Sequence, residues 1–105
     1  MIDVSRESLS IILDIITKYL PNCEVRVFGS RCGNNAKKYS DLDLSIISTE
    51  KLDWLLLAEI REAFQASDLT FRVDILDWHA ISPEFRAVIE RGYEVIYKDG
   101  VGSLQ

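Results

Sequence analysis

Two aspartates, Asp41 and Asp43, are spaced so that their carboxylates can act together. They open the apolar stretch DLDLSII, whose composition favours a strand. Residues two apart in a strand project from the same face, and their Cα atoms lie about 7 Å apart. Carboxylates at that spacing can bracket one divalent cation, or two cations held roughly 4 Å apart. The alternative is a pair of solvated acids at a strand edge.

A third acid, Asp74, lies in the stretch FRVDILDW, where a neighbouring strand could place it beside the first two. A charge in the middle of an apolar strand costs about several kcal/mol when it is unpaired, so Asp74 needs a partner. Arg72 shares its face and is one candidate. A cation shared with Asp41 and Asp43 is the other, and the one we favour. Asp77 falls on the opposite face of the strand and is not included in the site.

The Gly29-Ser30 pair directly follows a predicted strand and could hold phosphate. Gly29 allows the backbone to approach a ligand closely, and Ser30 offers an amide and a hydroxyl. If a helix begins at Ser30, its free N–H groups would favour an anion. Arg31, Lys37 and Lys38 add positive charge to this loop, which suits a triphosphate, although a plain solvated loop would show the same lysines.

The elements that must position these residues alternate between helix and strand, which indicates an α/β (α+β) layer with helices on a small sheet. Apolar residues at helical spacing predict two helices with inner stripes, one of Leu9, Ile12, Ile16 and Tyr19 and one of Trp54, Leu57, Ile60 and Phe64. Residues 1–99 are expected to form a single domain and residues 100–105 a disordered tail. The predicted elements are a helix over 5–20, a strand over 24–28, a loop over 30–40, a strand over 41–48, a helix over 51–64, a strand over 69–78, a helix opened by Ser82 and Pro83, and a strand over 93–97.

Composition excludes several classes of function. The net charge of −5 argues against a general nucleic-acid binder, which would show a basic face. A single histidine, His79, cannot build a site from several imidazoles, and Cys23 and Cys32 have neither the spacing nor the partners of a metal site. Any metal must therefore bind to carboxylates, which favours hard cations. No apolar run is long enough to span a bilayer and no signal segment is evident, so we expect a cytoplasmic protein.

More apolar surface is present than one inner stripe per helix requires. Apolar surface left over on a small domain often marks an interface. We therefore expect a protein partner, the alternative being a sheet that is covered more completely than the pattern suggests. The surplus residues are Ile11, Leu13 and Ile15 in the first helix and Leu55 and Leu56 in the second.

The Gly29-Ser30 pair, ten intervening residues and then Asp-Leu-Asp resemble the signature of the DNA polymerase beta nucleotidyltransferase superfamily. More narrowly, the chain is similar over almost its whole length to the minimal nucleotidyltransferases of prokaryotes. That resemblance implies a polymerase-beta-like palm with a small mixed sheet. Relatives are encoded beside a helical HEPN-type protein and bind it, in several cases as the antitoxin of a toxin–antitoxin pair.

The same resemblance implies a role for each site residue. Gly29 and Ser30 would hold the triphosphate, Asp41 and Asp43 would bind two magnesium ions, and Asp74 would bind one of them and act as the base. Manganese could replace magnesium. The implied reaction moves AMP from ATP to a tyrosine hydroxyl of the HEPN-type partner.

Two other functions are compatible with the sequence. The chain could be a nucleotide-binding regulatory subunit that sequesters its partner without turnover. It could also modify an antibiotic, although we expect no second domain of the kind with which larger relatives bind such an acceptor. A homo- or hetero-oligomer is also compatible with the sequence.

Overall fold

A computed structural model describes residues 4–29, 41–98 and the backbone of 101–102. Its five strands form one mixed sheet in the order β3-β2-β1-β4-β5. The central β1 pairs antiparallel with both β2 and β4, whereas β2 and β3 run parallel. The α/β prediction is therefore confirmed. The strands are β1 (Glu24–Phe28), β2 (Leu42–Ile47), β3 (Val73–Asp77), β4 (Tyr93–Lys98) and β5 (Val101–Gly102).

Helices α1 (Arg6–Tyr19) and α2 (Trp54–Gln65) pack against one face of the sheet. Ser5 caps α1, because its side chain accepts a hydrogen bond from the Ser8 amide. The hydrophobic core between these helices and the sheet consists of aliphatic and aromatic side chains together with Cys23. Its most buried members include Ile12, Ile16, Val25, Val27, Leu42, Leu44, Ile46, Ile60, Ile96 and Tyr97.

The other face of the sheet carries a 3-10 turn (Trp78–Ala80) and helix α3 (Pro83–Glu90). Ser82 caps α3 through the Phe85 amide at 3.1 Å, and Pro83 occupies its first turn, as the sequence predicts. The ring of Phe85 meets that of Phe28 edge-on, with centroids 5.9 Å apart. This contact places α3 beside the end of β1 and hence beside Gly29.

Several predicted boundaries are wrong. The second helix begins at Trp54 rather than Lys51, because the Asp53 side chain accepts a hydrogen bond from the Leu55 amide and caps it there. The third strand begins at Val73 rather than Leu69, and the second at Leu42 rather than Asp41. Within the predicted tail, Val101–Gly102 pair with β4 as a short strand instead.

The inner stripes are corrected at two positions. Trp54, predicted to face the core, is 72% exposed, whereas Leu13, counted as surplus, is buried. Leu55 remains exposed and Leu56 packs partly against the core, so the surplus surface on α2 is centred on Trp54 and Leu55. None of the helices in residues 4–29 and 41–98 is long and apolar enough to cross a membrane.

Candidate active site

The parallel pairing of β2 and β3 brings two of the predicted acids together. Asp43 and Asp74 are direct partners in the register, on strands that lie about 4.8 Å apart. Partners in register share a face of the sheet, so both side chains lie on the α3 side. Asp41 stands immediately before β2 and is exposed. The strand pairing therefore places the three carboxylates at neighbouring positions at one end of the sheet.

The electrostatic state of Asp43 reflects this placement. Burial raises the pKa of the Asp43 carboxyl, and the charges of Asp74 and then Asp41 raise it further. A like charge disfavours ionisation, so the proximity of the other two acids destabilises the ionised form of Asp43. A bound cation would remove that repulsion.

Asp74 also has the second partner that the sequence allowed. Its Oδ1 lies 3.0 Å from Nε of Arg72, whose side chain is 75% exposed. No three acidic, histidine or cysteine side chains in residues 4–29 and 41–98 gather closely enough to hold a metal ion. The donor set nevertheless fits a hard cation in its chemistry and its strand positions.

Both the backbone conformation at position 29 and the neighbouring Asp43 side chain favour glycine there. Its φ of 83° lies in the left-handed region that side chains rarely adopt. A Cβ at this position would collide with Oδ2 of Asp43 and lie 3.3 Å from its Cγ. The absence of a side chain at Gly29 therefore makes room for the Asp43 carboxylate, in addition to the close approach to phosphate that the sequence predicts.

The remaining predicted phosphate ligands lie outside the described residues. These are Ser30, Arg31, Lys37 and Lys38. Their roles stay predictions.

A groove of about 1030 Å³ opens beside Asp43 and Asp74. On the α3 side its walls include the aromatic pair Phe28 and Phe85. Sequence reasoning did not assign either residue to the site. Phe28 precedes Gly29, which is the one signal that could have indicated its position, whereas no local pattern identifies Phe85.

Three other polar residues are excluded from the site by their contacts. Asp77 is only 4% exposed and accepts hydrogen bonds from the amides of Leu52 (2.8 Å) and His79 (3.1 Å), so its role is structural, as its spacing predicts. His79 is an exposed turn residue whose Nε2 meets the Ser48 carbonyl. Burial, with a smaller contribution from Asp77, raises the pKa of the buried Cys23 thiol, which disfavours the nucleophilic thiolate.

Comparison with known proteins shows the family. The family model described as polymerase beta nucleotidyltransferase matches residues 12–100. The chain belongs to this nucleotidyltransferase family. It is 48% identical over 95 residues to the Haemophilus influenzae protein named probable protein adenylyltransferase MntA, covering 90% of this chain and 83% of that one.

Solved structures show the same nucleotidyltransferase fold. A toxin–antitoxin crystal structure with AMP-PNP matches with a TM-score of 0.73 at 20% identity, covering 86% of this chain and 73% of that one. A Shewanella oneidensis complex of a tri-AMPylated HEPN toxin with its MNT antitoxin matches with a TM-score of 0.61 at 17% identity, covering 90% and 73%. The predicted family and fold are therefore confirmed.

Proposed function

We propose that the chain transfers AMP from ATP to a hydroxyl group of a protein, and that the acceptor is a HEPN-type toxin for which it serves as antitoxin. The observation that carries this proposal is the register of β2 and β3, which sets Asp74 directly beside Asp43. The name of the Haemophilus influenzae relative supports protein adenylylation, and the complexes of similar fold support a HEPN-type partner. We expect the reaction to take place in the cytoplasm.

The proposed cofactor is a pair of magnesium ions, with manganese as a substitute, held by Asp41, Asp43 and Asp74. When bound, such ions neutralise phosphate charge and lower the pKa of the acceptor hydroxyl. Three features support this proposal. The donors are all carboxylates. Burial, and then the charges of Asp74 and Asp41, raise the pKa of Asp43. The Arg72 ion pair that holds Asp74 is solvent-exposed and therefore weak.

The chain's own residues would then divide the remaining work. Gly29 and Ser30, with Arg31, Lys37 and Lys38, would orient the triphosphate. Asp74 would accept the proton as the acceptor oxygen forms its bond to the α-phosphorus. The bond from that phosphorus to the bridging oxygen of the β-phosphate breaks, and pyrophosphate leaves with the bonding electrons.

The experiment is incubation of the chain and the purified HEPN-type partner with ATP labelled at the α-phosphate. We expect the partner to gain the label and one or more increments of AMP mass, and the Asp41→Asn variant to add none while melting at or above the wild-type temperature. Transfer by Asp41→Asn at the wild-type rate would contradict the role of that aspartate.

The second candidate function is sequestration of the partner without turnover. The Asp74–Arg72 ion pair favours it, because it already balances the charge of one proposed metal ligand. Under this alternative the two proteins form a stable complex, yet the partner's mass stays unchanged in the presence of ATP and magnesium or manganese.

A further inference from the structure

Strand β3 has a free edge. In the described sheet it pairs with β2 on one side and with no strand on the other. The Leu42 amide donates to the Arg72 carbonyl at 2.9 Å, and Leu42 is the register partner of Val73. In a parallel ladder this pattern directs the N–H and C=O groups of Val73 and Ile75 away from β2. Such outward groups form a template on which another strand can pair.

The groove beside the site follows this edge. One of its walls lies on the α3 side of the sheet, where Asp43 and Asp74 are found. The other lies on the α2 side and is largely apolar. An occupant lying along the edge of β3 would therefore touch both the reactive carboxylates and an apolar wall formed by Phe64, Leu69, Phe71, Val73 and Ile75.

A weak side-chain contact reaches this edge. Nη2 of the exposed Arg61 reaches the Ile75 carbonyl at 3.5 Å, which is the outer limit of a hydrogen bond. An incoming amide could replace it with little loss. Arg61 places a positive charge on the α2 wall of this groove, whereas the charge of Arg72 is paired with Asp74. The rim beside Arg61 therefore complements an acidic residue.

We propose that an extended segment of the acceptor protein, carrying the reactive hydroxyl and an acidic residue that faces Arg61, adds to β3 as the next strand of the sheet. The inference rests on the proposed function, which requires a protein hydroxyl at Asp74. An added strand lies about 4.8 Å away, and side chains of paired residues share a face with Cβ atoms roughly 4.5–5.5 Å apart. A serine, threonine or tyrosine paired with Asp74, or two residues from that position, thus lies on the same face as the carboxylate. Backbone pairing of this kind supplies affinity while the side-chain pockets supply selectivity.

Amide hydrogen exchange tests the docking without requiring turnover. The Asp41→Asn variant is mixed with the purified HEPN-type partner, ATP and manganese. We expect the Val73 and Ile75 amides to exchange fast in the free chain and at least tenfold more slowly in the complex. The Asp74 and Leu76 amides, which face β2, serve as the internal reference because they are protected in both states. Unchanged exchange at Val73 and Ile75 in the complex would overturn the proposal. Protection of these amides as the concentration of this chain alone rises would also overturn it, because a second copy of the chain would then occupy the edge.

Two variants test the same edge through transfer kinetics. Val73→Pro removes one outward amide, and prolines are tolerated on edge strands. We expect its KM for the partner to rise at least tenfold, while the rise in melting temperature caused by ATP and manganese is unchanged. Should that variant fail to fold, Arg61→Glu tests the charge of the rim, with Arg91→Glu, an exposed residue at the end of α3, as the matched control.

The outcomes separate this proposal from the proposed function. Label transfer by the wild-type chain, with normal KM in Val73→Pro and Arg61→Glu, would refute docking on β3 and leave the transferase function standing. Protection of the β3 amides without label transfer would support docking on β3 and contradict the transferase function.

Discussion

At the scale of single residues, Asp43 is the position on which the site depends most. Its carboxylate lies against Gly29 on one side and is the register partner of Asp74 on the other. Burial and the nearby charges raise its pKa, so the ionised form is less stable here than in water. A protein that keeps an acid in such a position loses some stability at neutral pH, which is common where a site must bind a cation.

Asp43→Asn should therefore stabilise the chain without metal at pH 7. Because the folded pKa is raised, the folded state holds its proton more tightly than the unfolded chain. Stability is thus lost as pH rises from the ordinary aspartate pKa through the folded one. We expect the variant to melt a few degrees above the wild type at pH 7 and at the same temperature near pH 3, by calorimetry in EDTA. A variant that melts below the wild type at pH 7 would show that the Asp43 carboxylate makes a stabilising contact.

Gly29→Ala tests the space beside Asp43. The added Cβ would both occupy a positive φ and collide with the Asp43 carboxylate, so we expect the free energy of unfolding to fall by roughly 1–3 kcal/mol. Displacement of the carboxylate should also lower transfer about 100-fold. Gly92→Ala is the matched control, because its Cβ would meet no atom within 4 Å. Chemical denaturation and label transfer measure the two effects, and equal behaviour of the two variants would refute the steric role of Gly29.

At the scale of secondary-structure elements, the sequence predicts type and order better than boundaries and facing. Alternating and apolar stretches identify β1 and β2, because successive side chains of a strand point to opposite faces of the sheet and every second one can then face the core. The segment from Leu69 to Phe71 has the same apolar character and is half-buried against the core. It is nevertheless not a strand, because strand formation depends on backbone pairing that composition does not report.

The facing of α2 shows the same limit. The helix buries Ile60 and Phe64 and partly buries Leu57, which cluster on one side at about 100° per residue. Trp54 lies about a quarter turn around the helix axis from the centre of that buried side and is therefore exposed. For the site, the Asp-x-Asp spacing and the strand containing Asp74 are predictable locally. The register between β2 and β3 depends on tertiary packing, and so does the position of Phe85 of α3 beside the site.

The Asp77→Ala variant tests the contact between β3 and the segment that leads into α2. Its buried carboxylate accepts the Leu52 and His79 amides, and Asp77→Ala would leave both donors unpaired. We expect the free energy of unfolding to fall by about 1–3 kcal/mol in urea. Asp77 is not among the proposed metal ligands. The variant should therefore keep the wild-type rise in melting temperature on addition of ATP and manganese, and loss of that rise would place Asp77 in the binding site.

At the scale of the whole molecule, two separate surface features within residues 41–98 suit a partner best. One is the β3 edge with its groove, which lies beside the reactive acids. The other is the exposed apolar start of α2, formed by Trp54 and Leu55, which are 72% and 52% exposed. Large exposed aromatic residues are frequent anchors of protein interfaces. A partner that binds both would be held at α2 while its acceptor segment reaches β3.

Trp54→Ser is expected to separate partner binding from folding. Because Trp54 is exposed, its loss should change the free energy of unfolding by no more than about 0.5 kcal/mol. A buried interface anchor typically contributes 2 kcal/mol or more, so affinity for the HEPN-type partner should fall roughly 30-fold or more. Titration calorimetry measures the affinity, and Glu59→Ser, an exposed substitution on the same helix, is the control. Wild-type affinity in Trp54→Ser would remove the start of α2 from the interface.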